Sequence, residues 1–279
     1  MKKWNLVIDV ALCENCNCCL LACKDEFVGN SFDGYSEEQP RHGQRWINIM
    51  TKERGHGSLV DVAYLPIPCM HCDDPACMKK SKDGSIYKRE DGIVIIDPVK
   101  AKGGRELVSA CPYGAIWWND TLEVPQKCTF CAHLLDDGHR EPRCVQACPT
   151  GALKVFQTKE TEMQEIINKE NLEELHPEFG TKPRVRYKNM YRYSDCFIAG
   201  SVSYANNDVK ECASNAKVCL LNAEDLVAET HTDFFGDFKF DKIPKESGKY
   251  KLEIQFQTYA KTVPVEVGES VYLEEIALS

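Results

Sequence analysis

The chain has 279 residues, 43% of them hydrophobic, with 34 Lys and Arg against 43 Asp and Glu for a net charge of −9. Domains commonly run to about 100–200 residues, so this length fits two, each large enough for its own core. The acidic balance argues against a nucleic-acid partner, which needs a basic footprint, and no apolar run approaches the ~18 residues of a membrane-crossing helix.

Lys2 and Lys3 precede an apolar stretch, but Asp9 interrupts it. No small-residue cleavage site follows and no twin-Arg pair is present there, so the segment does not read as a secretory signal. Of the 16 cysteines, 13 lie between Cys13 and Cys148. A disulfide scaffold would be short, secreted and stapled throughout, so cysteines clustered in a long chain point to metal.

The first group is Cys13-x2-Cys16-x2-Cys19-x3-Cys23. In this bacterial-ferredoxin spacing three thiolates hold one 4Fe–4S cluster and the fourth ligates the other cluster of a pair. Zinc is the competing reading, but zinc sites usually use two CxxC knuckles, not four thiols in one eleven-residue loop. The second group, Cys69-x2-Cys72-x4-Cys77, has no fourth cysteine where one is expected; Ser81 stands there. His71, inside this group, is a candidate donor of a hydrogen bond to sulfur, as is His133 after Cys131; simple packing is an equal reading of both. Asp91-Gly92 is a turn signal, and Ile93–Ile96 reads as a short strand. Cys111-Pro112 stands alone.

The last group is Cys128-x2-Cys131-x12-Cys144-x3-Cys148-Pro149. Its long spacer is tolerable because loop length adds little once the ends are fixed. Lys127, Arg143, Trp117 and Trp118 flank these groups, where packing or subunit contact is the default role. A helix is expected to start near Thr161, with Thr161 and Gln164 as a capping box and Met163, Ile166, Ile167 and Leu175 on one face. Gly180-Thr181-Lys182-Pro183 breaks the pattern.

Beyond about Asp195 the chain turns β-rich. Seven runs are expected as strands: Phe197–Tyr204, Ala216–Leu221, Leu226–Thr232, Phe234–Phe240, Tyr250–Phe256, Thr262–Val267 and Val271–Leu278. Their spacing suggests an antiparallel sandwich. The fold expected is therefore α+β, with a duplicated ferredoxin-like domain over residues 1–195 and a seven-stranded sandwich over 196–279.

Reciprocal pairing assigns Cys13, Cys16, Cys19 and Cys148 to one 4Fe–4S cluster, and Cys128, Cys131, Cys144 and Cys23 to its neighbour. Counting back from Cys111 by the same spacing gives Ala101, Gly104 and Leu107. Together with Ser81 these form one complete set of four lost ligand positions. The reading is a second pair from which one cluster has been deleted whole, leaving Cys69, Cys72, Cys77 and Cys111 to hold a third. Cys18 reads as a bystander, and Cys196, Cys212 and Cys219 as small hydrophobes of the β-rich region; a Cys212–Cys219 disulfide would need an oxidising compartment. No nucleotide fingerprint or nucleophile–base pair is present, so the bond-making chemistry is expected in another chain.

The four-group layout resembles the iron–sulfur subunits that accompany molybdopterin oxidoreductases of the dimethyl-sulfoxide-reductase family. Those subunits usually carry four clusters, and this chain departs from them at Ser81, Ala101, Gly104 and Leu107. Within the family it looks like the small subunits of hydroxytransferases of the pyrogallol-to-phloroglucinol type. The likeness rests on Cys69-Met70-His71-Cys72, Tyr87–Gly92 through Asp97-Pro98, Cys111–Gly114, Gln126–Thr129, Cys131–Asp137 and Gly180–Val185. It implies a heterodimer with a large catalytic subunit that binds a bis-molybdopterin guanine dinucleotide and works in the cytoplasm of an anaerobe. The Arg140–Arg143 segment looks shorter than the hydroxytransferase loop, and Cys148–Gly151 looks more like the generic four-cluster subunits, which keeps a true reductase (a catechol dehydroxylase or an oxyanion or polysulfide reductase) open as partner. The C-terminal region resembles carboxypeptidase-regulatory-like (transthyretin-like) modules, most clearly at Thr232–Phe238. A zinc-knuckle binding module and a free-standing multicluster ferredoxin are the rival classes.

Overall fold

In the computed structural model, every residue except 82, 83 and 208 is described. The chain divides into two compact units: Met1–Met50 with Tyr64–Asn189, and Thr51–Ala63 with Met190–Ser279. The segment Thr51–Ala63 is the distal part of a hairpin formed by Ile47–His56 and Leu59–Pro68. Its membership of the second unit had no mark in composition, because a hairpin tip looks alike whichever core receives it.

The first unit is the ferredoxin-like one. Its central strand, Lys3–Asp9, buries Leu6, Val7 and Ile8 in succession. Side chains that alternate between two faces can all be buried only if both faces are covered. The strand pairs antiparallel with Leu153–Thr158 and parallel with Val185–Lys188. The helix Glu160–Glu170 packs Met163 against Val7 and Leu172. Its cap differs from the expected one: Glu162 accepts from the Lys159 N–H at 3.1 Å, and Thr161 and Gln164 lie inside the helix. Asn171, left-handed at φ 51, ends it, so Leu175 belongs to the following loop. Asp91-Gly92 turns the hairpin Ile86–Lys88/Val94–Ile96, with the Asp91 carboxylate accepting from the Ile93 N–H and Gly92 at φ +90. Among the described residues no helix is long and apolar enough to cross a membrane.

The second unit holds two four-stranded sheets that share one apolar core. Cys196–Asn206 pairs with Asp237–Ile243, with the short strand Val209–Cys212, and in parallel with Val271–Leu278. The other sheet runs in the order Asp225–His231, Lys217–Asn222, Gly248–Phe256, Tyr259–Val267. The expected all-antiparallel set of seven strands is therefore corrected at two points. Val209–Cys212 is an extra strand, exposed along its length and only four residues long, so no hydrophobic pattern marks it. The parallel pairing is invisible to periodicity, since alternation is the same for either direction.

The Thr232–Phe238 stretch is a turn with its own chemistry. The Thr232 hydroxyl, 5% exposed, accepts from the Ala216 N–H at 2.8 Å and donates to the Ala213 carbonyl. Asp233 accepts from the N–H groups of Phe235 and Asp237 at 2.8 and 2.9 Å. Gly236 has φ +83, and a Cβ there would stand 2.5 Å from the Val202 carbonyl. Phe234 and Phe235 consequently lie outside the strand and point to solvent, against the expected run Phe234–Phe240.

Replacing Thr232 with Val keeps the shape and strands a buried N–H and C=O. A loss of about 2 kcal/mol is expected. Urea unfolding of the intact protein should show an earlier midpoint, with iron content unchanged.

Candidate iron–sulfur centres

The helix Cys18–Phe27 carries Cys19 and Cys23 one turn apart on one face, about 6 Å along the axis. Their neighbours differ, so the helix carries one thiol into each of two adjacent sets. Ahead of the helix, Asn15 and Asn17 adopt left-handed φ of 52 and 59, and the Asn17 amide donates to the Asn15 carbonyl at 2.8 Å. Alternating left- and right-handed residues turn successive N–H groups inward, as an anion-binding nest does. The Asn15 N–H accordingly reaches the Cys13 sulfur. The short helix Arg143–Gln146 packs on Cys18–Phe27 and delivers Cys148 to the same place. The Cys13 thiol feels Cys16 and Cys148, and the Cys19 thiol feels Cys13, Cys16 and Cys148.

Cys23 meets a different group. Its thiol feels Cys128 and Cys131, and the Cys144 thiol feels Cys131, Cys128 and Cys23. These four line a nearly wholly apolar cavity with Phe27 and Trp46. Phe130 and Cys131 are left-handed, at φ 59 and 51, and the Phe130 N–H donates to the Cys128 sulfur at 3.3 Å. The Arg143 N–H reaches the Cys131 sulfur.

Cys69, Cys72, Cys77 and Cys111 line a third space. Tyr113 and Ala115 give N–H groups to the Cys111 sulfur, and Thr181, whose hydroxyl lies 2.7 Å from that of Tyr113, bonds to Cys72. Lys127 also lines this space; it is 2% exposed, and its ammonium donates to the carbonyls of Val94 and Cys128. The Val94 N–H donates to His71 Nδ1 at 3.0 Å, so the neutral ring carries its proton on Nε2, which is buried without a partner among the described residues. Burial, with Lys127 and Lys88 adding to it, holds His71 well below its ordinary pKa and therefore neutral.

Cys69 belongs to two neighbourhoods. It borders the apolar cavity as well as its own, and its charge and N–H both act on Cys128. Cys19 in turn acts on Cys144. In space, therefore, the Cys23 set stands between the other two, although along the chain the Cys69 group is the middle one. The exchange of Cys23 and Cys148 between runs produces this order.

Burial pushes the thiols of Cys19, Cys72 and Cys131 up to about 12 and those of Cys77 and Cys128 up to about 11. It raises Cys23 and Cys144 well above the usual thiol value. For Cys148 burial alone would raise it, but N–H groups of Leu153 and Ala152 and the Thr150 hydroxyl outweigh that and bring it below. Among the described residues no three such side chains close in on the distance a single metal ion needs. The donors are instead all sulfur, four to a set, with enclosed cavities at the Cys23 and Cys69 sets and N–H groups aimed at the sulfurs. That chemistry suits polynuclear iron–sulfur centres.

The four non-cysteine positions also come together. Ala101 and Leu107 are buried with Ile86, Val94, Ile96 and Ile116, and Cys77 and Cys111 pack on this plug. A Cβ on Gly104 would stand 2.9 Å from the Ala101 carbonyl and 3.2 Å from Leu107 Cδ1. The Ser81 hydroxyl accepts from the Ile86 N–H and lies 2.8 Å from that of Ser85.

Of the other residues, Cys18 lies beside Cys16 outside the sets. Cys196 is in the second unit's core, Cys212 is exposed and Cys219 is half-buried. His133 Nε2 is 3.0 Å from Glu26, and the ring stacks on Phe32. Gln39, 3.9 Å from the Cys23 sulfur, and Thr150 beside Cys148 gave no sequence signal, because they lie outside every cysteine spacing.

Residues 60–158 match the family described as 4Fe-4S dicluster domain. The chain is 42% identical over 271 residues, 95% of its length and 96% of the relative's, to the pyrogallol hydroxytransferase small subunit of Pelobacter acidigallici. It is 32% identical to a sulfite dehydrogenase subunit of Allochromatium vinosum, over 67% of this chain and 83% of that one. It is 29% identical to the thiosulfate reductase electron transfer subunit of Salmonella typhi, over 61% and 84%. The protein thus belongs to this family of iron–sulfur electron-transfer subunits of molybdenum oxidoreductases, which hold no catalytic site of their own and serve a large catalytic partner.

Proposed function

We propose that the chain is the electron-transfer subunit of a molybdopterin-dependent hydroxytransferase of the pyrogallol-to-phloroglucinol type, acting in the cytoplasm. Its large partner would bind the bis-molybdopterin guanine dinucleotide. The likeness over 95% of the chain to a pyrogallol hydroxytransferase small subunit carries this reading. Three 4Fe–4S clusters are assigned: one to Cys13, Cys16, Cys19 and Cys148, one to Cys23, Cys128, Cys131 and Cys144, and one to Cys69, Cys72, Cys77 and Cys111. The apolar plug of Ala101 and Leu107 supports three over four, since no thiol fits at Gly104 without displacing it.

The residues' roles follow. The sulfurs hold the clusters, and the N–H groups on them stabilise the electron-rich state. The order of the sets gives one line of relay from the Cys69 set through the Cys23 set to the Cys13 set, closed by the plug at its Cys69 end. A wire closed at one end suits a subunit that primes or poises the partner's molybdenum and passes no current each turnover. The C-terminal unit, read as a carboxypeptidase-regulatory-like sandwich of residues 196–279, serves docking or stabilisation. A reductase partner, such as a catechol dehydroxylase, is the second reading, favoured by the likeness to a reductase subunit.

Iron and acid-labile sulfide in anaerobically purified protein should come to about twelve of each per chain. A value near sixteen, or substantial zinc, would count against the assignment. Cys111→Ala should remove or convert the Cys69-set cluster only, leaving the signals of the other two. The purified two-subunit enzyme, once reductively activated, should convert phenolic substrate without an external donor. Product in strict proportion to added reductant would favour the reductase instead.

A further inference from the structure

We propose that the Lys127 ammonium is the fixed counter-charge at the junction of the Cys69 and Cys23 sets, and that it raises the reduction potential of the cluster on the Cys69 set. This rests on the reading of the chain as a three-cluster electron-transfer subunit.

The motive is an unbalanced buried charge. Lys127 is 2% exposed, and its two protein partners are carbonyl oxygens, of Val94 and of Cys128 at 3.0 Å. Among the described residues it has no carboxylate. Lys88 and Arg184 in the same unit both hold Asp73, at 3.0 and 2.5 Å. A buried ammonium is strongly unfavourable unless a negative charge opposes it. His71 cannot supply one: an imidazole is neutral or cationic, and its Nδ1 already accepts from the Val94 N–H. Two of the three ammonium donors are used, and among the described residues the third N–H has no acceptor. The side chain lines the cavity of Cys69, Cys72, Cys77 and Cys111, and its charge favours the thiolates of Cys77, Cys111 and Cys128.

The group that completes this arrangement is anionic and held by those thiols. A 4Fe–4S cluster on four thiolates carries a charge of about −2 when oxidised and gains one more on reduction. A positive charge beside it stabilises the reduced form more than the oxidised form, which raises the potential. Lysine suits the task as a compact charge whose stem packs while its head is held by carbonyls.

The test is a redox titration followed by electron paramagnetic resonance on the purified two-subunit complex, with Lys127→Met and Lys127→Arg beside the unaltered protein. The cluster signal that Cys111→Ala removes identifies the Cys69-set cluster. Lys127→Met should lower its reduction equilibrium constant tenfold or more, a shift of about 59 mV for one electron. The Cys13-set cluster should stay where it is, and Lys127→Arg should keep the unaltered potential. If Lys127→Met loses the cluster while Lys127→Arg retains it, the charge is needed for holding the cluster, which also supports the proposal. An unchanged potential in Lys127→Met at full iron content overturns it, as does an equal shift of all three clusters. Loss of the cluster in both variants overturns it too, since shape and not charge would then matter. Fewer than three clusters in the unaltered protein would mark failure of the underlying reading, and that shows in the iron content alone.

Discussion

Each ferredoxin-type run places three thiols around one space and sends its fourth to the neighbouring set, and the first unit is built on that exchange. Cys23 leaves the Cys13 run for Cys128, Cys131 and Cys144, while Cys148 travels the other way. The exchange ties residues near position 20 to residues near position 148. Any centre bound there closes a loop of more than a hundred residues, the kind of closure that constrains an unfolded chain most in entropic terms. Local geometry then adjusts to it. Asn15, Asn17, Phe130 and Cys131 take left-handed φ because N–H groups must turn inward within a few residues. The helix Cys18–Phe27 must extend at least one turn past Cys19 so that Cys23 can reach the second set.

The Cys69 run and Cys111 line one space against an apolar core. Ala101 and Leu107 are buried beside it with Ile86, Val94, Ile96 and Ile116. The Cys77 and Cys111 side chains pack against this apolar core, so the core and the Cys69 set support each other. Disturbing it by one substitution would be costly. A side chain at Gly104 meets the Ala101 carbonyl and Leu107, and the Ser81 hydroxyl is already committed to Ile86 and close to Ser85. This packing persists because a close-packed interior resists opening a new cavity.

Cysteine spacing was legible because ligation imposes fixed separations, so the four groups and the exchange of Cys23 and Cys148 could be counted. The short strand after Asp91-Gly92 and most C-terminal strands were legible by turn chemistry and alternation. Other features left no such trace. Lys127 looked like any lysine beside a loop; only the fold reveals that Val94, far away in sequence, covers it. Val209–Cys212 is too short and polar to show a pattern. The cap of Glu160–Glu170 went to Lys159 and Glu162 because the helix begins one residue before Thr161, and the Thr161–Gln164 pair then falls inside the first turns. Spatial order differed from chain order for the same reason the sets form at all: exchanged ligands bring the outer runs together and leave the Cys69 set at an end.

Charge links these features. Burial raises the thiols of Cys19, Cys23, Cys72 and Cys144, so placing negative charge on these sulfurs is opposed by their surroundings. Loading a metal centre releases thiol protons and puts net negative charge into these surroundings. The protein answers with groups already in place: N–H donors on Cys13, Cys111, Cys128, Cys131 and Cys148, and the ammonium of Lys127 between two of the sets. Without a negative centre, the buried ammonium and the inward N–H groups face no opposing charge. With one, the same groups become favourable. The protein's acidic net charge does not decide this balance, since surface carboxylates are screened by water while the buried cation and dipoles are not. Folding of the first unit and acquisition of its centres are therefore coupled through electrostatics as well as through chain closure.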